Sequence, residues 1–245
     1  MSKYYDVPML QEPVWTREVA LYFFLGGLSA GAYLISCTHA DARIARKAAR
    51  LAAGAALPCA PLLIADLGDP KRFLNMLRIW KPGSPMNLGS WILTTYTPLC
   101  MLQAVKPVKI PQIAGIPLAI GLAGYTGVLL STTSNPLWCK NPWLGPLFSA
   151  SAMHSACSAL LLTEQDPPLQ KLDAVSTAAE LAALSAFQKL PDTPALAAGL
   201  ILPVALSLCK RPKLAAAVAL LGGLVLRYQM VMGGKKAVAD SVGKT

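Results

Sequence analysis

The amino-acid sequence predicts an all-α polytopic transmembrane helix bundle of about eight helices, forming a single integral membrane domain over residues 1–245. Three observations predict it. Hydrophobic residues make up 54% of the chain; charged residues are only 14%, against about 25% in an ordinary soluble domain; and the charges cluster between long uncharged stretches. The mean hydropathy of +0.48 agrees. This composition excludes a water-soluble enzyme and leaves no stretch for a separate soluble domain.

Reading between the charges gives the elements in order. Val19 to Cys37 is uncharged and predicts a span at 19–38. The basic loop Asp41 to Arg50 follows, leading into a second span at 48–66. Lys81 and Lys106 bracket a third at 88–106, and Lys109 and Lys140 a fourth at 110–131, with the remainder of that stretch a loop. Spans at 143–163, 173–189, 194–209 and 213–232 complete the set. The sixth is Ala-rich and interrupted by Glu180, so it needs shielding by its neighbours, and the eighth carries Arg227. Several are shorter than the roughly 20 residues a straight span prefers.

An even number of spans returns both tails to one side. That side, called B, also holds the segments 66–87, 132–143 and 190–194, while side A holds four short loops. Lys and Arg are divided too evenly for the positive-inside rule to decide cleanly; the expectation is that side A is cytoplasmic and side B periplasmic, in a prokaryotic plasma membrane. The first eighteen residues contain Asp6, Glu12 and Glu18 and no twin arginine, so they do not read as a cleaved signal.

The formal charge of +10 would raise nucleic acid as a partner in a soluble protein. Here the bases sit in short inter-helix loops, where they meet lipid headgroups of the bilayer and set topology, and no nucleic acid is expected. The six cysteines stand singly, without Cys-x-x-Cys or a neighbouring histidine at ligand spacing, so no metal site is encoded. With only His39 and His154, a dihaem cytochrome b is excluded, and no haem is expected.

Asp66 to Asn87 carries more information. Phe73, Met76, Leu77 and Trp80 recur at helical spacing with bases between them, predicting an amphipathic interfacial helix near 70–81 that Pro70 starts and Pro82 ends. A helix lying on lipid headgroups and a docking surface for a partner both fit it. Ionisable groups in or at the ends of spans, Asp66, Glu180 and Arg227, are proton-transfer candidates by default. Against that, Asp66 before Gly68 and Pro70 also suits backbone capping, and Glu180 and Arg227 also suit a structural pair across the bundle. Gly27-x-x-x-Gly31 and Gly121, Gly124 and Gly127 predict close helix contacts. His154 reads as a hydrogen-bonded bundle residue, and Trp15, Trp80, Trp138 and Trp143 as an aromatic belt on side B.

Several ordered motifs together resemble one family. They are Tyr-Phe-Phe-Leu-Gly-Gly-Leu-Ser-Ala-Gly-Ala-Tyr-Leu at 22–34, Asp-Leu-Gly-Asp-Pro-Lys-Arg-Phe-Leu-Asn-Met-Leu at 66–77, Ser84-Pro85-Met86 with Gly89 and Trp91, and Tyr-Thr-Gly-Val-Leu-Leu-Ser at 125–131 followed by Asn135-Pro136-Leu137-Trp138. The chain is similar in these to the NrfD/PsrC (polysulfide reductase) membrane-subunit family, well over roughly its first 150 residues and beyond them only by hydrophobicity and the Leu-Arg-Tyr-Gln run ending at Gln229. The resemblance implies a quinone-reactive membrane anchor without haem, exchanging electrons between menaquinone or ubiquinone and an iron–sulfur subunit, itself bound to a catalytic subunit that is commonly a molybdopterin enzyme. It implies a quinone pocket on side B, lined by polar residues of the first span's N-terminal part, Glu18 and Tyr22, and by Tyr125. At Tyr22 the sequence departs from the resemblance, since a family member of known quinone site has histidine there; a phenol donates a hydrogen bond but does not accept a proton near neutral pH. Lys71, Arg72, Arg78 and Trp138 are the expected docking residues for the iron–sulfur partner. A small transporter or proton channel lined by Asp66, Glu180 and Arg227, and a purely structural anchor, are the competing readings.

Overall fold

A computed structural model describes residues 13–67, 70–106, 109–187, 199, 201–206 and 211–242, with the backbone alone at 70, 72, 73, 110 and 111. The chain is an all-α polytopic bundle, without strands among the described residues. Its helices are α1 (Arg17–Thr38), α2 (Ala42–Ala56), α3 (Cys59–Leu67), α4 (Pro70–Arg78), α5 (Pro85–Val105), α6 (Lys109–Ser131), α7 (Leu144–Leu161), α8 (Pro167–Phe187) and α9 (Pro212–Val242), with a further helical segment at 201–206. Among the described residues, four stretches are long and apolar enough to cross a membrane: Arg17–Thr38, Ala42–Leu67, Gln112–Ser131 and Pro212–Ser241.

The helix limits differ from the expected ones where local chemistry overrides hydropathy. The basic stretch after Asp41 is helical rather than a loop, because Asp41 caps it through Arg43 N and because Ile44, Ala48 and Ala49 turn inward while the bases face out. That helix turns at Leu57 and Pro58 and resumes as α3, so the two pieces form one apolar stretch. The sixth expected span begins earlier, at Pro167, where proline suits a first turn. The last helix continues past 232 to Val242. The amphipathic helix stops at Arg78 rather than 81, because the Asn87 amide donates to Met76 O at 2.5 Å and Ile79 O at 2.8 Å, satisfying its last carbonyls. Of the expected span at 194–209, only 199 and 201–206 are described.

The first helix is the axis. It packs against α2, α3, α6, α7 and α9, and it is apolar all round, as a helix with no solvent face must be. A Cβ at Gly31 would lie 2.6 Å from Ala152 O and 2.8 Å from Ala156 Cβ, so only glycine permits this approach of α1 to α7; Gly27 faces Ala152 one turn away. Gly127 makes the same contact with the Leu144 backbone, joining α6 to α7. Ser29, buried in α1, meets the Tyr96 hydroxyl at 2.8 Å and donates to Ala52 O at 2.8 Å, tying α5 and α2 to the axis.

The two ends are closed by polar ties. On side A, His39 Nε2 lies 3.1 Å from Asp166, and Glu164 is bridged to Lys47 and, at 3.1 Å, to Arg43. The hydrogen bond from Lys47, with Arg43 beside it, holds the Glu164 carboxyl below the usual carboxylate range. On side B, Trp15 stacks on Trp138 at 5.5 Å, and Asn135 Nδ2 donates to Gly234 O at 2.8 Å, so the start of α1 and the final turns of α9 share one end.

Trp138 is wholly buried, and a Cβ at Gly234 would overlap its indole. Gly234→Val should therefore force the indole out and lower stability by about 1–3 kcal/mol. In contrast, Gly54, whose Cβ would meet nothing within 4 Å, should accept alanine with a gain of up to about 1 kcal/mol. Thermal unfolding in mild detergent reads both; an unchanged midpoint for Gly234→Val would contradict the packing described.

Candidate functional site

Two places in the bundle gather chemistry, one at each end. The first, on side B, is an apolar cleft of about 380 Å³ between α5, α6 and the turn before α5, with Pro82, Pro85, Leu88, Ile92, Gly124 and Tyr125 among its walls. Its size lies within the ~300–1,000 Å³ of ordinary small-molecule sites. Tyr125 is 9% exposed at the inner end. A Cβ at Gly89 would fall on the Tyr125 ring and hydroxyl, so the missing side chain at 89 is what lets the phenol reach this position. Behind it lies Tyr22, 1% exposed and enclosed by Cys59 and Leu122 near Gly26. The phenols of Tyr22 and Tyr125 are electrostatic neighbours. The Tyr22 hydroxyl nevertheless makes no hydrogen bond of acceptable geometry among the described residues. The two hydroxyls lie within reach of one another, and of the two phenols it is Tyr125 that lines the cleft.

Glu18, expected in this site, and Asp66, expected as a proton-transfer candidate, lie nearby, at the start of α1 and at the end of α3. Glu18 is half-buried in the first turn of α1. Asp66 Oδ1 accepts from Thr16 N at 3.1 Å and Thr16 Oγ1 at 2.6 Å, bracing the start of α1 against the end of α3. These bonds tie Asp66 to a residue 50 positions away rather than capping the segment that follows it.

The second place lies in the middle and side-A half. His154 Nδ1 on α7 meets Glu180 Oε2 on α8 at 2.6 Å, both nearly fully buried. Asp173, one helical stretch earlier on α8, accepts from Ser158 at 3.1 Å and lies 3.9 Å from His154 Nε2. Arg227 donates to Ser151 Oγ at 2.8 Å and Phe148 O at 2.9 Å, and its guanidinium lies 4.2 Å over the Phe148 ring. The anticipated Glu180–Arg227 pair is therefore not formed: the imidazole, nearer on the adjacent helix, takes the carboxylate, while the arginine is held by a hydroxyl, a carbonyl and a ring. His154 is a hydrogen-bonded bundle residue. The sequence reading missed Asp173, whose one cue was its position seven residues before Glu180, on the same helical face. No group of three or more His, Cys, Asp or Glu among the described residues is placed to hold a metal.

The expected docking residues separate. Lys71 and Arg78 are exposed on α4 beside exposed Leu74, Ile79 and Trp80. The Arg72 side chain lies outside what is described. Trp138 is a correction: it is buried against Gly234 and stacked on Trp15, so it cannot present its ring to a partner. Its burial follows from a contact with a glycine 96 positions away, which no local pattern reveals. Trp80 and Trp143 are the tryptophans with exposed rings on this end.

Glu180→Ala should destabilise the chain by roughly 3–5 kcal/mol, because it strips a buried imidazole of its partner and leaves Arg227 without the nearby carboxylate. Glu180→Gln retains a hydrogen-bonding group and should cost distinctly less. Equal losses for the two in thermal unfolding would show that the pair does not hold α7 to α8.

Comparisons with known proteins agree with the geometry. The protein is 30% identical over 185 residues to the C subunit of polysulfide reductase from Wolinella succinogenes, an alignment covering 61% of this sequence and 57% of that protein. It thus spans little more than half the length of this relative. The model of the polysulphide reductase NrfD family matches residues 6–188. That match takes in α1 through α8, the Tyr22 and Tyr125 phenols and the His154–Glu180 pair, and the chain belongs to the NrfD family of integral membrane proteins.

Proposed function

We propose that this chain is the quinone-reactive membrane anchor of a respiratory oxidoreductase complex, passing electrons between membrane menaquinone or ubiquinone and an iron–sulfur partner subunit. The partner in turn binds a catalytic subunit of molybdopterin type. The observation that carries the reading is the side-B cleft ending on the buried phenol of Tyr125, with the Tyr22 phenol beside it. Similarity to a polysulfide reductase subunit supports it.

A quinone supplies the two-electron chemistry when bound. The chain's part is to bind and orient. The apolar walls Leu88, Ile92 and Ile120 suit a ring with an isoprenoid tail, and Tyr125 O–H is placed to donate to a ring carbonyl. Tyr22 is the second donor. Neither phenol accepts a proton near neutral pH, so both act by hydrogen bonding and not as bases. Gly89 positions Tyr125 and never touches the ligand.

Tyr125→Phe removes one hydroxyl and should weaken quinone turnover by about 1 kcal/mol or somewhat more, roughly fivefold to tenfold, while partner binding and electron transfer to an artificial acceptor survive. Gly89→Ala should displace the phenol and produce the same selective loss. Unaltered quinone turnover and inhibitor affinity in both variants would place the site elsewhere and favour a purely structural anchor.

The amphipathic helix α4 lies beside α3 and α5 at the cleft end, a placement that supports reading it as the docking surface for the iron–sulfur subunit on the side proposed as periplasmic. Opposite charge steers such encounters and fixes their register. Reversing Lys71 and Arg78 to Glu should reduce recovery of the iron–sulfur subunit when the complex is purified at low salt. Undiminished recovery would leave α4 as a lipid-headgroup helix.

A further inference from the structure

The proposed electron path does not use the ionised groups in the side-A half of the bundle. A cavity of about 670 Å³ lies there between α7, α8, the helical segment at 201–206 and the start of α9. Gln170 and Pro212 mark its rim, and both are exposed. Deeper in, its wall carries Ser158, Asp173, Thr177 and His154. His154 is 4% exposed, and among the described residues its Nε2 lies 3.9 Å from Asp173, beyond hydrogen-bond length. One imidazole nitrogen is thus held by Glu180 and the other is left facing the cavity without a partner among the described residues.

Charge balance favours one extra proton in this group. Glu180 and Asp173 each bring one negative charge and Arg227 one positive, so with a neutral imidazole the cluster carries −1. One added proton brings it to zero. In a low-dielectric interior an uncompensated charge is costly, which favours the singly protonated, neutral cluster over either alternative. The groups facing it are, on α7, Ser151, Cys157 and Ser158; on α8, Asp173 and Thr177; on α9, Arg227. The segment at 201–206 adds no titratable side chain, and α1 presents Gly27 towards Arg227.

The other side of Arg227 meets an aromatic cluster. The Phe148 ring lies under the guanidinium, and Phe23 packs edge-on against Phe148 at 6.4 Å and beside Tyr22 at 5.6 Å. A fixed cation backed by aromatic rings is a poor route for a proton.

We propose that His154, Glu180 and Asp173 form a proton-exchange site that holds one mobile proton and trades it with side-A water through this cavity, closed towards the phenols by Arg227. In the exchange a hydronium ion gives its proton to His154 Nε2 or an Asp173 oxygen and leaves as water; no electrons move. The inference does not rest on the quinone reading, since proton binding and access are measured without turnover.

The test uses the full chain in lipid vesicles. Infrared difference spectra across a pH step should show imidazole and carboxyl bands that shift in deuterium oxide, and Asp173→Asn or Glu180→Gln, each of which removes one negative charge, should abolish them. Thr177→Cys should react with a membrane-impermeant thiol reagent from the side that labels Lys171→Cys and not from the side that labels Lys236→Cys. Bands unchanged in both amide variants would overturn the proton site. Thr177→Cys reactivity from the Lys236 side, or from neither, would overturn its access.

Discussion

The close approach of α1 to α7 is the contact on which the other placements rest. Within a bilayer, lipid tails are as apolar as leucine, so helices gain little from burying leucine against leucine and associate instead where backbones come close enough for dense packing. Gly31 and Gly27 against Ala152 and Ala156 provide that closeness. Once α1 is pressed there, its remaining faces are committed: Tyr22 towards α3 and α6, Ser29 towards α2 and α5, and Phe23 towards Phe148. The helix that carries the first of the family-like motifs is thus also the one its neighbours pack upon.

A second device recurs, in which a large aromatic side chain fills the space a glycine leaves open on another segment. Tyr125 lies over Gly89, Tyr33 over Gly115 and Trp138 over Gly234. Each pairing fixes an aromatic ring by a backbone gap rather than by its own local sequence. At Gly89 the consequence is chemical, since the gap decides how far the phenol extends into the cleft. At Gly234 it is architectural, since the buried indole also stacks on Trp15 and draws the start of α1 to the end of α9.

Polarity is divided between the two ends in keeping with desolvation. The side-B cleft is apolar apart from the phenol of Tyr125, a group that hydrogen-bonds without carrying charge. The charged residues of the interior are withdrawn to the His154–Glu180–Arg227 region, where each is held by a neighbour: a carboxylate by an imidazole, a guanidinium by a hydroxyl, a carbonyl and a ring. Phe148 lies under the Arg227 guanidinium and Phe23 beside Tyr22.

The membrane class, the helical character and the family were legible in the sequence because they depend on local properties: hydropathy over about 20 residues, charge placement, and ordered motifs around Tyr22, Asp66 and Tyr125. What the sequence alone did not decide was pairing. It left Glu180 with Arg227, missed Asp173, and set Trp138 on the surface. In each case the deciding contact joins residues on different helices or segments, such as His154 with Glu180, Asn135 with Gly234 and Trp138 with Trp15. Side chains in a bundle choose partners by interhelical distance and rotation, and those are set by how closely glycine and alanine let the backbones approach, a property of the assembled helices that no single segment contains.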